Sequence, residues 1–266
     1  MVPKLLPLIA SEAEVVVSSP KNILMDKDTR FFLRELGIRC EDHIDPNEAF
    51  DLLLDCTGTY SYLKKINIGA VELTRSGENY YRNTQFSCIS VDDSQIKMIE
   101  TRIGTSDGLI RALKHLNYEI DNKKVLLFGY GKVGKGIYQR LVTENAQVIP
   151  VDFIEVFETH HFMDSFIDAE DHQSVQEVAQ KSDYIITVTG IKHLIESQYE
   201  VSYFKRGSTL INMGAEDEYG PSFADQEILN QKSPLNFILS ESTQLKYLDA
   251  TFALHNESAV SLLQKQ

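Results

Sequence analysis

Residues 124–136 read KVLLFGYGKVGKG. Lys124–Phe128 is a short apolar run closed by glycine, the pattern of a strand buried on both faces. Gly129, Gly131 and Gly134 follow, at the spacing of a turn that opens a helix, expected here over Lys135–Glu144. Gln147–Val151 reads as the next strand, and Asp152 stands at its end, about twenty residues past the turn. A glycine turn alone is weak evidence. Strand, turn, helix, second strand and acid in that order make the dinucleotide-binding pattern.

Each residue type has a task in that pattern. Gly129 permits the tight turn, Gly131 lets backbone approach a pyrophosphate, and Gly134 lets the helix pack close to the strand. The helix N-terminus offers unpaired N–H groups and a positive dipole end to phosphate, and Lys132 and Val133 of the turn join the candidate cofactor contacts. The Lys132 and Lys135 side chains also read as ordinary solvated charges on a helix face. A carboxylate at Asp152 accepts from a ribose hydroxyl and repels the additional phosphate of NADP. No arginine follows it, so NAD is the expected cofactor.

Working outward, Asp183–Val188 and Thr209–Asn212 read as further strands of the same sheet. They end in Thr187-Val188-Thr189-Gly190 and in Asn212-Met213-Gly214. Open α/β sheets bind ligands at the carboxyl ends of their strands. Thr187, Thr189, Gly190, Asn212 and Met213 are therefore candidate cofactor contacts. A helix is expected over Ser174–Ala179, a last strand over Asn236–Leu239 and a terminal helix over Asn256–Gln264. Upstream, Ala13–Ser18, Asp51–Asp55, Val71–Thr74 and Cys88–Val91 read as strands, with a helix over Asp26–Gly37. A further helix, capped by Thr105 or Ser106, carries Leu109, Ile110, Leu113 and Leu116 on one stripe. The alternation predicts an α/β fold: a Rossmann-type doubly wound parallel sheet with a second, smaller α/β domain. The expected division is a substrate-side domain over 1–104, joined by 245–266. A connecting helix would span 105–120 and the cofactor domain 121–244.

With 266 residues, 42% of them apolar, the chain has enough material for two cored domains. Its net charge of −13 speaks against nucleic acid or anionic membranes as partners. A small-molecule substrate is the expected partner. The three cysteines, Cys40, Cys56 and Cys88, form no CxxC pair and no Cys/His cluster, so neither structural metal nor a disulfide framework is expected. Met1–Ala10 carries a single lysine and no clear cleavage site, and no stretch is long enough for a membrane span. A cytoplasmic protein is expected.

Several motifs together resemble the S-adenosylhomocysteine hydrolases. That family's GYGDVGKG is similar to GYGKVGKG at Gly129–Gly136, its TTTG to TVTG at Thr187–Gly190, and its CNIGHFD to INMGAED at Ile211–Asp217. Its closing HPSFVMSN is similar to DATFALHN at Asp249–Asn256. Its early AEV segment resembles AEVVVSSPKNILMDKD at Ala13–Asp28, and its LDDGGDLT resembles LDCTGTY at Leu54–Tyr60. The resemblance is specific mainly in the cofactor domain.

The resemblance implies a tightly held NAD that oxidises a ribose hydroxyl, acidifies the neighbouring carbon for elimination of a thiol, and returns its hydride after water adds. It implies a homodimer as well. It sets the catalytic lysine on Lys97 and the following Asp-Asn pair on Glu100 and Thr101. Thr74, Thr101 and Asn256 would join the cofactor contacts. Departures fall where the family keeps acid/base groups: Cys56, Leu73, Ala215 and Asp249 replace an acid, a glutamate and two histidines. Lys97, Glu100, Cys56 and His255 are the candidate catalytic residues. Three readings follow. The first is an NAD-dependent oxidoreductase acting on a hydroxyl of a small polar or nucleoside-like metabolite, and the second a catalytically silent NAD-binding regulator or subunit. The third is retained thioether hydrolysis.

Overall fold

A computed structural model describes residues 7–8, 13–19, 25–158, 165–205 and 207–264. Most of Met1–Ala10 lies outside the described residues. The chain divides into two units, Met1–Lys97 with Leu248–Gln266, and Met98–Tyr247.

The first unit is the smaller α/β layer. Strands β1 (Val16–Ser18) and β2 (Arg39–Glu41) pair in parallel, joined through helix α1 (Lys27–Glu35). Asp26 caps α1 by accepting from the Thr29 N–H, and Leu33 is its buried anchor. A separate three-stranded parallel sheet orders β3 (Ala49–Asp55), β4 (Lys65–Glu72) and β5 (Ser87–Ser90). The Val71–Thr74 strand expectation meets only the end of β4. Thr74 has left the strand to cap helix α2 (Arg75–Tyr81), where its hydroxyl accepts from the Gly77 N–H.

The second unit begins with a π-helical turn, Ile99–Gly104, that runs without a break into α3 (Thr105–His115). The expected cap at Thr105 or Ser106 is therefore absent. Their hydroxyls instead donate back to helical carbonyls, Thr105 to Glu100 and Ser106 to Ile103. Helix-interior serine and threonine commonly satisfy themselves this way. β6 (Lys124–Phe128) leads into α4 (Lys132–Thr143), which starts directly after Gly131 rather than at Lys135. β7 (Gln147–Asp152), α5 (Ile154–Glu158), β8 (Ile167–Asp168), α6 (His172–Ala179), β9 (Tyr184–Thr187), α7 (Leu194–Gln198), β10 (Thr209–Asn212) and β11 (Ile228–Leu229) complete the alternation.

The six-stranded sheet orders β11-β10-β9-β6-β7-β8, and every pairing is parallel. This is the doubly wound order, with its switch point between β6 and β9. One face is covered by α3 and α4 through Leu109, Leu113, Ile137 and Leu141. The other is packed with Val175, Ile195, Phe204 and Tyr219. Leu126 and Leu127, successive on β6, are both fully buried, one in each cluster, which is why the strand is apolar throughout.

Two edges differ from expectation. Asn236–Leu239 is no strand: residues Leu235–Ile238 form a 3₁₀ turn entered from Pro234. Leu235 and Asn236 are buried in succession and Phe237 is exposed, so the side chains do not alternate, and β11 holds the sheet edge instead. The terminal helix, α8 (Leu245–Leu263), begins well before Asn256. Its Ala259 and Leu262 pack on Val71 and Val91 in the first unit. No helix among the described residues is long and apolar enough to cross a membrane.

Candidate functional site

At the switch point the glycines of the turn divide their work. Gly129 sits at φ +97°, where a side chain is strained, and a Cβ there would lie 2.7 Å from the Val188 carbonyl oxygen. A Cβ on Gly134 would collide with the carbonyl of Gly129, so the start of α4 rests on the end of β6. A Cβ on Gly131 would meet nothing within 4 Å. That open space lies over the first turn of α4, where helix N–H groups lack partners within the helix and favour an anion.

A cleft of about 300 Å³ adjoins the turn, lined by Gly129, Gly131, Asp152, His172, Thr189 and Tyr199 among others. That volume falls at the lower end of small-ligand pockets. Asp152 is held at its edge: one carboxylate oxygen accepts from the Tyr130 N–H at 2.6 Å and the other from the Phe153 N–H at 2.9 Å. An ionised carboxylate has about four acceptor positions, so it retains capacity for a hydroxyl. Lys135 places its ammonium 5.5 Å from the Tyr130 ring centre. Burial, then the nearby Arg102 guanidinium, hold that ammonium's pKa below the ordinary lysine value, partly offset by Asp152. Val133 is partly buried against the α3–α4 core.

Across the crevice, Thr187 and Asn212 are fully buried. The Thr187 hydroxyl bonds to the Asn212 amide oxygen, and that amide's nitrogen donates to the carbonyls of Gly214, Glu216 and Lys232. Asn212 thus ties together the loops after β10, and Met213 follows it, buried, with its N–H on the Thr187 carbonyl. The Thr189–Gly190 turn is held by Glu218, a residue that no local sequence pattern marks. Glu218 accepts from both backbone N–H groups and from the Thr189 hydroxyl. Burial pushes its carboxyl above the ordinary range, against the pull of these bonds. Glu100 and Thr101 lie half-buried on the π-helical turn, a distortion frequent at functional sites.

The first unit repeats this arrangement. Glu72, fully buried, accepts from the N–H groups of Thr57 and Gly58 and from the Thr74 hydroxyl. Its neighbour Asp55 accepts from the N–H groups of Cys56 and Tyr60 and from the Tyr81 hydroxyl. Burial raises the Asp55 pKa. Cys56 is exposed at the end of β3. Lys97 is only 3% exposed. His255 and Asn256 are buried on α8, and the His255 Nε2 lies 2.8 Å from the Val71 carbonyl oxygen. A ring nitrogen facing a carbonyl carries the proton, so His255 fastens α8 to β4. Among the described residues no group of His, Cys, Asp or Glu is arranged to hold a metal ion.

The doubly wound sheet, the open turn at Gly131 and the acid ending β7 define an NAD-binding Rossmann domain. Residues 98–232 match the S-adenosyl-L-homocysteine hydrolase NAD-binding domain, and the chain belongs to that family. Adenosylhomocysteinase of Archaeoglobus fulgidus is 28% identical over 240 residues, 78% of this chain and 57% of the relative. That of Aquifex aeolicus is 29% identical over 202 residues, 71% of this chain and 46% of the relative. S-inosyl-L-homocysteine hydrolase of Methanopyrus kandleri is 31% identical over 160 residues, 55% and 35% of the two chains. The chain spans about half the length of the curated relatives it matches.

Two solved structures share the fold. The dipicolinate synthase A chain of Bacillus subtilis aligns with a TM-score of 0.58 at 12% identity, covering 100% of this chain and 94% of that one. The transhydrogenase of Sinorhizobium meliloti aligns at 0.57 and 14% identity, covering 99% and 90%. The open space at Gly131, with helix N–H groups behind it and a carboxylate beside it, fits a dinucleotide, and NAD is the cofactor of this domain.

Proposed function

We propose that this chain uses NAD as an internal redox cofactor to act on a hydroxyl of a small polar or nucleoside-like metabolite. The observation that carries the reading is the burial of Lys97, at 3% exposure, since a lysine serving only as a surface charge would be solvated. Bound NAD supplies a hydride acceptor. With NAD held at the glycine turn, Lys97 would take the hydroxyl proton of the substrate, and Glu100 is the residue proposed to assist it. Proton abstraction by a positioned side chain contributes roughly 10²–10⁴-fold to such a step.

A second reading, a catalytically silent NAD-binding protein, is favoured by His255. Its ring is fully buried and bonded to Val71, so it serves packing rather than proton transfer. Retained thioether hydrolysis is a third reading, and the exposed thiol at Cys56, where the family has an acid, speaks against it.

The test is to denature purified protein, identify the released nicotinamide nucleotide, then supply nucleosides and hydroxy acids and follow absorbance of the reduced ring. Turnover in wild type that Lys97→Met abolishes, with NAD content unchanged, supports the oxidoreductase. Bound NAD that no substrate reduces supports the silent protein. Thiol release from S-adenosylhomocysteine establishes the third reading.

A further inference from the structure

The two walls of the cofactor cleft differ in what they offer a ligand. The Gly129–Gly134 wall presents the N-terminus of α4, a set of donors. The wall formed by residues 188–191 has spent its donors inward. The Val188 N–H bonds to the Phe128 carbonyl at 2.9 Å, and the Thr189 and Gly190 N–H groups bond to the two oxygens of Glu218 at 2.9 and 2.6 Å. The Ile191 N–H bonds to the Thr189 hydroxyl oxygen at 3.1 Å, and that hydroxyl donates to Glu218 at 2.9 Å. Every backbone N–H from 188 to 191, and the one hydroxyl, is occupied. Val188 and Thr189 nonetheless line the cleft.

We infer that Glu218 is a positioning residue that makes the 188–191 wall an acceptor-only surface, matched to ribose hydroxyls of the dinucleotide and closed to its phosphates. The inference rests on the cleft being the NAD site and adds how the cofactor is oriented within it. Hydroxyls can donate as well as accept, so a ribose can bond to acceptors where a phosphate cannot. A phosphate has only acceptor oxygens, and here it would find no donor and a buried carboxyl group behind the turn. Glu218 is held in place by close packing, since any Cβ on Gly214 would strike its carboxyl group. It is fully buried, so water cannot take over its bonds.

Glu218→Gln keeps the shape but sets an amide NH₂ against one backbone N–H in either orientation. The full chain, freed of nucleotide, is titrated with NAD by calorimetry and with inorganic pyrophosphate by ³¹P NMR. The expected result is about tenfold weaker NAD binding in the variant, the scale of one unsatisfied buried donor, with pyrophosphate binding unchanged. Equal NAD affinity in the two proteins overturns the inference. So does a loss of NAD and pyrophosphate together, which marks a structural role. Wild type that binds no NAD overturns the cofactor reading as well.

Amide hydrogen exchange on wild type alone gives a second measurement that needs no variant. Thr189 and Gly190 should be protected before NAD is added and gain nothing from it, while Lys132–Gly134 gain protection. Rapid exchange at Thr189 and Gly190 that NAD suppresses would mean these groups donate to the cofactor, and the inference falls.

Discussion

The Asp152 carboxylate accepts a 2.6 Å hydrogen bond from the Tyr130 N–H, joining the end of β7 to the middle of the glycine turn. The acid at the end of β7 is therefore also a brace for the glycine turn.

Asp152→Asn tests the brace against the ribose contact. Asparagine can still accept from Tyr130 with its amide oxygen, but its NH₂ then faces the Phe153 N–H and it carries no charge toward the hydroxyl. NAD affinity should fall about tenfold or more, in keeping with roughly 1.5–3 kcal/mol for bonds to a charged group. Asp152→Arg should weaken NAD further and improve NADP relative to it. Calorimetric titration with both nucleotides checks this, and unchanged NAD affinity in both variants would mean the carboxylate does not face the ribose.

Gly131→Ala and Gly134→Ala should fail in opposite ways. At Gly131 the added methyl meets nothing within 4 Å, so the protein should melt within a few degrees of wild type but lose NAD affinity. At Gly134 it strikes the Gly129 carbonyl, so stability should fall by about 1–3 kcal/mol, the usual cost of overpacking. Thermal melting without nucleotide, set beside NAD titration, separates the two. Equal melting temperatures for both variants would contradict the close approach at Gly134.

Much of this was legible in the sequence because it is local. Lys124–Phe128 is apolar at every core position and its glycines carry separable steric duties, so strand, turn and helix follow from a short window. Helix α4 begins as soon as Gly131 ends, although Lys132–Gly134 read as part of the turn, because the glycine spacing marks the turn and not the first helical residue. The clamps were not legible. Glu218 reaches Thr189 across 29 residues and Glu72 reaches Thr57 across 15, and neither spacing is a local signal. His255 resembled a catalytic candidate at a helix start, yet it lies mid-helix and bonds to Val71, 184 residues away. Asn236–Leu239 misled because its apolar residues suggested a strand while Pro234 turned the chain into a 3₁₀ coil.

The cysteines should react in a fixed order. Cys56 is exposed, Cys40 is buried, and burial with Glu72 nearby pushes the Cys88 thiol up to about 11. The thiolate is the reactive form, so Cys88 stays protonated near neutrality. A limiting dose of iodoacetamide at pH 8 should label Cys56 first, as read by peptide mass spectrometry. Faster labelling of Cys88 would contradict its burial.

Acid should remove one identifiable contribution to stability. Burial raises the Asp217 pKa, but bonds from the Gly220 N–H and the Lys232 ammonium outweigh it, and the carboxyl sits below its ordinary value. Lys232 lies 3.0 Å from Asp217 and also donates to the Gly220 carbonyl at 2.8 Å, bracing the loop that carries Glu218. A depressed carboxyl stabilises the fold above its unfolded pKa of about 3.9 and loses that contribution as pH falls through the folded value. Lys232→Met should therefore lower the melting temperature by an amount that is constant above about pH 5 and shrinks below about pH 4. A difference that stays constant down to pH 3 would show that Lys232 acts through Gly220 and packing, with no part played by the charge on Asp217.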